Sequence, residues 1–193
     1  MNKRNALRDL HSKWLIDSTC TLKKTATQGV PGDGTPYADI VFIGEAPGKK
    51  EDELGIPFVG AAGKFLDEML ADIHLKRNDV YITNIVKYRP PDNRDPLEKE
   101  KQECNQWLID ELNLIQPTLI ITLGRHAMNN FFPDEKISNT HGTLLNKKIP
   151  GIPTKNFYIL YHPAAALYNG SLRDILIKDF KKIPKLLKKL RAK

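Results

Sequence analysis

Short apolar runs alternate along the chain with longer stretches in which apolar residues recur every three or four positions. Four of the runs are rich in Ile, Val, Leu or aromatic residues: Asp39–Gly44 (DIVFIG), Val80–Val86 (VYITNIV), Thr118–Gly124 (TLIITLG) and Phe157–Tyr161 (FYILY). They predict strands. A helical pattern follows each. After the first run, Ala62, Phe65, Leu66, Met69, Leu70 and Ile73 share one helix face. Leu97–Leu114, Arg125–Phe132 and Leu172–Leu190 follow the other three. Leu7, Leu10, Trp14 and Leu15 predict a short N-terminal helix, and Thr25–Pro36 (TATQGVPGDGTP) an irregular loop. Apolar strands alternating with helices imply a parallel sheet covered on both faces. The expected fold is α/β, a three-layer α/β/α sandwich with a central, mainly parallel four-stranded sheet, in one domain over residues 1–193.

Open parallel sheets bind ligands beyond the carboxyl ends of their strands. Four segments fall there: Gly44-Glu45-Ala46-Pro47-Gly48, then Asn84 with Lys87, then Gly124-Arg125-His126, then His162-Pro163. They are expected to converge on one cleft. The GEAPG loop is neither GxGxxG nor GxxxxGK[ST], so the dinucleotide and P-loop fingerprints are missing. Glu45, Glu51, Asp52 and Glu53 form an acidic cluster suited to holding a water or a metal. The plainer reading makes at least two of Glu51–Glu53 a solvated turn. Phe58, in the apolar loop Ile56–Gly60, either stacks on a flat ring or plugs the core. Asn84 interrupts an apolar strand, and its carboxamide carries both a donor and an acceptor for a base edge or a loop backbone. Of five histidines, only His162 sits at a strand end before a proline. His11, His74 and His141 read as surface or loop residues, and His126 as a helix start. Lys87, Arg89 and Arg94 surround Pro90-Pro91 in a stiff basic loop on the same rim.

Composition narrows the class. A chain of 193 residues with 40% apolar and 27% charged residues buries a core without disulfides. No apolar run approaches the roughly 20 residues of a membrane span, and Met1–Arg8 is polar and basic, so neither a membrane partner nor a secretory signal is expected. The cytoplasm is the expected location. Cys20 and Cys104 then read as reduced thiols. The net charge is +7, and Lys178–Lys193 alone holds eight basic residues against Asp179, leaving the rest of the chain balanced. Phe180, Ile183, Leu186, Leu187 and Leu190 underlie that charge, predicting an amphipathic basic helix over about 171–193, broken or restarted at Pro184. Such a helix docks with a solvated Lys face, or meets phosphates or an anionic membrane.

Taken in order, these segments resemble the family-four uracil-DNA glycosylases. The resemblance runs from about Cys20 to Lys182. It is carried by Thr25-Ala26-Thr27-Gln28, GEAPGKKEDELGIPFVGAAGKFLDEML (Gly44–Leu70), TNIVKYRPPDNRDP (Thr83–Pro96), LIITLGRHA (Leu119–Ala127) and YHPAAALYNGSLR (Tyr161–Arg173). It implies that Gly44, Glu45, Ala46, Pro47 and Gly48 form the water-activating loop, with Glu45 orienting the water because Ala46 stands where other branches carry Asp. It implies that Phe58 stacks on a flipped uracil, that Asn84 pairs with its edge and rejects cytosine, and that Glu51 crowds C5 and excludes thymine. His162 would donate to uracil O2. Ala164, Ala165, Ala166, Leu167 and Asn169 would enter the minor groove, and Lys87 and Arg89 would meet DNA. DNA phosphates become the expected partner of the basic helix.

Family-four enzymes typically hold an iron–sulfur cluster on four cysteines. Cys20 and Cys104 match two of those positions, while Asp17 and Tyr88 occupy the other two. A cluster needs soft thiolates, so no cluster is expected and metal ligands are none. Tyr88 and neighbouring apolar groups are expected to fill the volume. A branch that crosslinks to uracil-DNA through a His on an inserted basic loop is disfavoured, because no insertion follows Tyr88. The expected protein is a monomeric, monofunctional uracil-DNA glycosylase acting on uracil-containing DNA. The alternatives are a non-catalytic damaged-DNA binding protein and a glycosylase shifted toward hypoxanthine or xanthine.

Overall fold

A computed structural model of the chain describes residues 2–192. Met1, at the head of the basic N-terminal stretch, and Lys193, at the end of the basic run, lie outside the described residues. The sheet strands are β1 (Asp33–Gly34), β2 (Ile40–Gly44), β3 (Tyr81–Asn84), β4 (Leu119–Leu123), β5 (Leu144–Asn146) and β6 (Asn156–Leu160). They lie in the order β1-β3-β2-β4-β6-β5. The four predicted strands form the parallel centre, and β1 and β5 add antiparallel edges. The sheet therefore has six strands rather than four. The edges are two and three residues long, too short to show any alternation.

The side chains alternate across the sheet as the pleat requires. Val41, Ile43, Tyr81, Ile120, Phe157 and Ile159 point to one face, and Ile40, Phe42, Ile82, Leu119, Ile121 and Leu160 to the other. The first face is covered by α1 (Lys3–Asp17), α4 (Glu98–Ile115) and α5 (Arg125–Asn129), through Leu7, Trp107, Leu108, Leu112 and Met128. The second is covered by α3 (Ala61–Asp72), α8 (Gly170–Phe180) and α9 (Ile183–Arg191), through Phe65, Leu66, Met69, Leu70, Leu176 and Phe180. Among the described residues there are also three short α-helices, α2 (Lys49–Leu54), α6 (Ile137–Thr140) and α7 (Pro163–Leu167), and three 3-10 helices.

The predicted basic helix is two helices, α8 and α9, separated at Lys181–Lys182, with Pro184 in the first turn of the second. Proline is tolerated there because the first turn has no intrahelical acceptor for its missing N–H. Ile183, Leu186, Leu187 and Leu190 dock α9 on the second core. Arg191 pairs with Asp39, just ahead of the first residue of β2. The far end of α9 is thus at the amino edge of the sheet. At about 3.3 Å per residue, β2 puts the carboxyl edge roughly 16 Å away.

Glu51–Glu53 is not a solvated turn. It lies in α2, where Asp52 is buried and accepts from the Thr27 N–H at 2.9 Å and its hydroxyl at 2.8 Å. Only Glu53 of the three is exposed. His11 is not a surface residue either: its Nε2 lies 3.0 Å from the Tyr81 hydroxyl and 3.2 Å from Glu111.

Candidate functional site

Parallel register places the ends of β2 and β3 side by side, with Gly44 opposite Asn84. The pairing continues past both strands: the Ile85 N–H donates to the Gly44 carbonyl at 3.0 Å and the Val86 N–H to the Glu45 carbonyl at 3.2 Å. Gly44 is required by close approach, because a Cβ there would sit 2.5 Å from Asn84 Oδ1 and 2.6 Å from the Phe58 ring. Gly124, after β4, has φ +90°, and a Cβ on it would lie 2.9 Å from His162 Cβ. Small residues at two strand ends thus allow Asn84, Phe58 and His162 to meet.

They line a cavity of about 190 Å³ together with Ala46, Gly48, Glu51, Ala62 and Ala164. Asn84 is 2% exposed, and its Oδ1 has no hydrogen-bond partner. A buried carbonyl left unpaired is costly unless a ligand completes it. The Phe58 ring lies 5.6 Å from the His162 ring, tilted by 31°. Phe58 is buried in a left-handed backbone conformation, φ +54°. Two contacts hold that strained turn. Glu51 accepts from the Val59 N–H at 2.9 Å and the Gly60 N–H at 2.8 Å. Arg77 donates to the Phe58 carbonyl at 3.0 Å and to the Pro57 carbonyl. Arg77 is a supporting residue that the sequence did not reveal, since nothing in its surroundings marks it.

His162 caps α7. Its Nδ1 accepts from the Ala164 N–H at 3.1 Å, so in the neutral ring Nε2 carries the proton. Burial pulls its pKa down to about 4, with Glu51 working the other way and His126 adding to the fall. The imidazole is therefore neutral at physiological pH and acts as a donor through Nε2.

A second cavity of about 400 Å³ adjoins the first, sharing His162 and Ala164, and is lined also by Glu45, Asp95, Arg125, His126 and Tyr161. Burial, with Asp95 adding to it, raises the Glu45 carboxyl to about 7. His126 Nε2 lies 3.9 Å from Glu45 and 3.1 Å from Asp95. Burial lowers the His126 pKa. Glu45, Asp95 and His126 are the group of possible metal-ligating atoms found among the described residues. Arg125 already brings a cation to it, donating to His126 at 3.0 Å and to Asp95 at 3.2 Å. Asp95 was missed from sequence because it lies in a polar loop with no pattern.

Other predicted residues fall elsewhere. Pro47 is buried behind the loop and lines neither cavity. Lys87 does not face DNA. It is fully buried, with Nζ 2.6 Å from Glu111, because it follows β3 into the core beneath α4. Ala166 is also withdrawn from any DNA surface, being 2% exposed against the second core. Leu167 is half-buried on the same core. Ala165 and Asn169 are exposed, Asn169 capping α8, and between them Tyr168 stands 92% exposed. Arg89 is half-exposed and donates to Asn93 at 2.7 Å.

Cys20 and Cys104 are both buried, with sulfurs 3.5 Å apart. Tyr88 is buried beside them, its ring edge-on to Trp107 at 6.4 Å, while Asp17 is exposed at the end of α1. Two thiols, a phenol raised in pKa by burial and an outward carboxylate do not fit a four-thiolate cluster.

The model of the uracil DNA glycosylase superfamily matches residues 31–191. The type-4 uracil-DNA glycosylase of Archaeoglobus fulgidus is 50% identical over 186 residues, covering 94% of this chain and 93% of that protein. Those of Sulfurisphaera tokodaii and Saccharolobus solfataricus are 47% and 45% identical, over 94% and 87% of this chain and 85% and 80% of their own. With the family model spanning most of the sequence, and the strand-end residues it covers meeting in one cleft, the chain belongs to the uracil-DNA glycosylase superfamily.

Proposed function

We propose that the protein is a monofunctional uracil-DNA glycosylase that extrudes uracil from DNA, hydrolyses its N-glycosidic bond and leaves an abasic site. The observation that carries this is the unpaired, buried Asn84 Oδ1 in the cavity that also holds Phe58 and His162. An acceptor there matches the N3–H of uracil and meets a lone pair on cytosine. A base inside the duplex must be flipped to reach it, at a cost of a few kcal/mol.

As the bond to C1′ breaks, positive charge gathers on the sugar and negative charge on the base. The Nε2–H of neutral His162 donates to uracil O2 and stabilises the leaving anion where it forms. Phe58 stacks on the ring, and Glu51 with Gly48 closes the C5 side. Glu45, in the adjoining cavity, orients the water that attacks C1′ and takes its proton. No lysine lines either cavity among the described residues, so no amine is placed to cut the strand after the base departs. Ala165, Tyr168 and Asn169 face the gap left by the flipped nucleotide, and Arg89 meets the backbone.

The protein works as a single-domain, cytoplasmic monomer without an iron–sulfur cluster, Tyr88 and Trp107 packing where a cluster would otherwise hold the N-terminal segment. Stoichiometric iron in protein purified without oxygen refutes this part. The test of function is strand scission by hot alkali after incubation with a labelled uracil oligonucleotide, beside thymine and hypoxanthine oligonucleotides. Cleavage only at uracil, lost in His162→Ala/Asn84→Ala, is the expected result. Tight binding of uracil-DNA without cleavage marks a binding module instead.

A further inference from the structure

Among the described residues, the one lysine buried in the core lies under the strand end that carries Asn84. β1 covers β3 only as far as Ile82, so the flank of Thr83 and Asn84 has no neighbouring strand on that side. Lys87, three residues beyond Asn84, folds back into the open place. Its Nζ donates to the Asn84 carbonyl at 2.9 Å, to the Thr83 hydroxyl and to Glu111 at 2.6 Å. The ammonium thus takes all three of its acceptors from the protein, two of them on the last two residues of β3.

Glu111 is equally committed. It accepts from the Gly32 N–H at 3.1 Å, the Tyr81 hydroxyl at 3.0 Å and the Thr83 hydroxyl at 2.9 Å, and lies 3.2 Å from His11. Burial opposes its charge, yet Lys87 and His11 hold its carboxyl well below the ordinary range. Desolvating two charges gives little net stability, and an apolar pair of the same volume often does as well. Geometry is what such a pair fixes well: the hydrogen-bonded charges lock one position of the backbone they touch. Here that backbone belongs to the residue whose carboxamide stands unpaired in the cavity.

We infer that Lys87, clamped by Glu111, is a positioning residue for Asn84 and sets how tightly the protein recognises the uracil edge. The inference rests on the uracil reading above, and its test separates the two.

The test is a mutant cycle. Lys87→Met with Glu111→Gln removes both charges and keeps an acceptor for Gly32 and Tyr81. Uracil excision is measured as kcat/KM, with inhibition by free uracil and the Kd for abasic DNA alongside. Loss of a supporting group typically costs roughly 10–100-fold in activity, and that fall is expected here. The inhibition constant for free uracil should rise by a similar factor, with binding of abasic DNA unchanged. In an Asn84→Ala background the same pair should change kcat/KM by less than about twofold, the scatter expected of uncoupled sites. Losses that multiply undiminished in that background, or abasic-DNA binding that weakens in step, overturn the inference and leave a structural ion pair. If the double variant does not fold, Glu111→Gln alone is run through the same cycle and must show the same dependence on Asn84. Parent protein that excises no uracil refutes the functional reading instead.

Discussion

The two faces of the sheet bury similar strands under different company. On the α3/α8/α9 face the strands meet aliphatic and aromatic side chains, with Phe42 stacked on Phe180 at 5.7 Å and, among the described residues, a buried charge at Asp179 on the rim. On the α1/α4 face a polar network penetrates the same depth: Glu111, Lys87, Thr83 and Tyr81 are all buried, and His11 joins from α1. The apolar face needs only volume and tolerates repacking. The polar face needs every partner, because an unpaired charge there has no water to turn to. The site depends on both: Asn84 and His162 are displayed from strand ends that the apolar face packs and the polar face pins.

The largest effect expected is on chemistry. His162→Ala should lower kcat by about 10²–10³-fold, as loss of one preorganised donor does, while the lost cap on α7 should cost only about 1 kcal/mol of stability. A much smaller fall in single-turnover rate would place the leaving-group donor elsewhere. Next comes the contrast between faces. Lys87→Met alone strands a buried carboxylate and should cost about 3–5 kcal/mol. Leu70→Ala on the apolar face should cost about 2–5 kcal/mol through its cavity. The difference lies in rescue: adding Glu111→Gln should restore much of the first loss and none of the second in denaturant titrations. Equal behaviour would erase the distinction between the faces.

Glu45 supplies a pH test. The folded state keeps its proton up to about 7, against an ordinary value of 4.5. On the mechanism proposed above, the carboxylate that orients the water is lost as pH falls through 7, and kcat should fall with it; His162, neutral above about 4, should add no step near 6.5. The same shift destabilises. Between pH 4.5 and 7 the folded state binds more protons than the unfolded, so stability declines as pH rises and levels off above 7. Glu45→Gln should remove that decline, and an unchanged stability profile would show that burial at Glu45 is relieved.

The smallest effect expected is at α9. Its lysines run toward the amino edge of the sheet, away from the cleft. Neutralising Lys185, Lys188 and Lys189 should change the salt dependence of DNA binding by less than about 0.9, the slope of one phosphate contact. Arg89→Gln, at the half-exposed residue proposed above to meet the backbone, should cost about one such contact. A larger change from α9 would restore the DNA role that the charge run suggested.

The core strands were legible because β2, β3, β4 and β6 are mostly apolar and four or five residues long, whereas β1 and β5 are only two and three residues long. Gly44, Asn84 and His162 were legible because each breaks a pattern at a strand end. His126 was expected at the cleft, in the segment Gly124–His126, but its partner Asp95 and the supporting Arg77 were not, since a polar residue in a polar stretch looks the same whether it faces a cavity or water. Lys87 misled for a related reason: a lysine beside Arg89 and two prolines reads as a rim charge, and only the distant Glu111 draws it inward.

The sequence by itself determined the parallel core, the order of the strand-end segments and the residue types that could read a base edge or stack on a flat ring, because local periodicity and strand-end chemistry are written in neighbouring positions. The tertiary structure alone decided which charges are solvated, which are paired and which support the site. Those outcomes rest on partners far apart in sequence, 24 residues for Lys87 with Glu111 and 152 for Arg191 with Asp39, brought together only when the layers close.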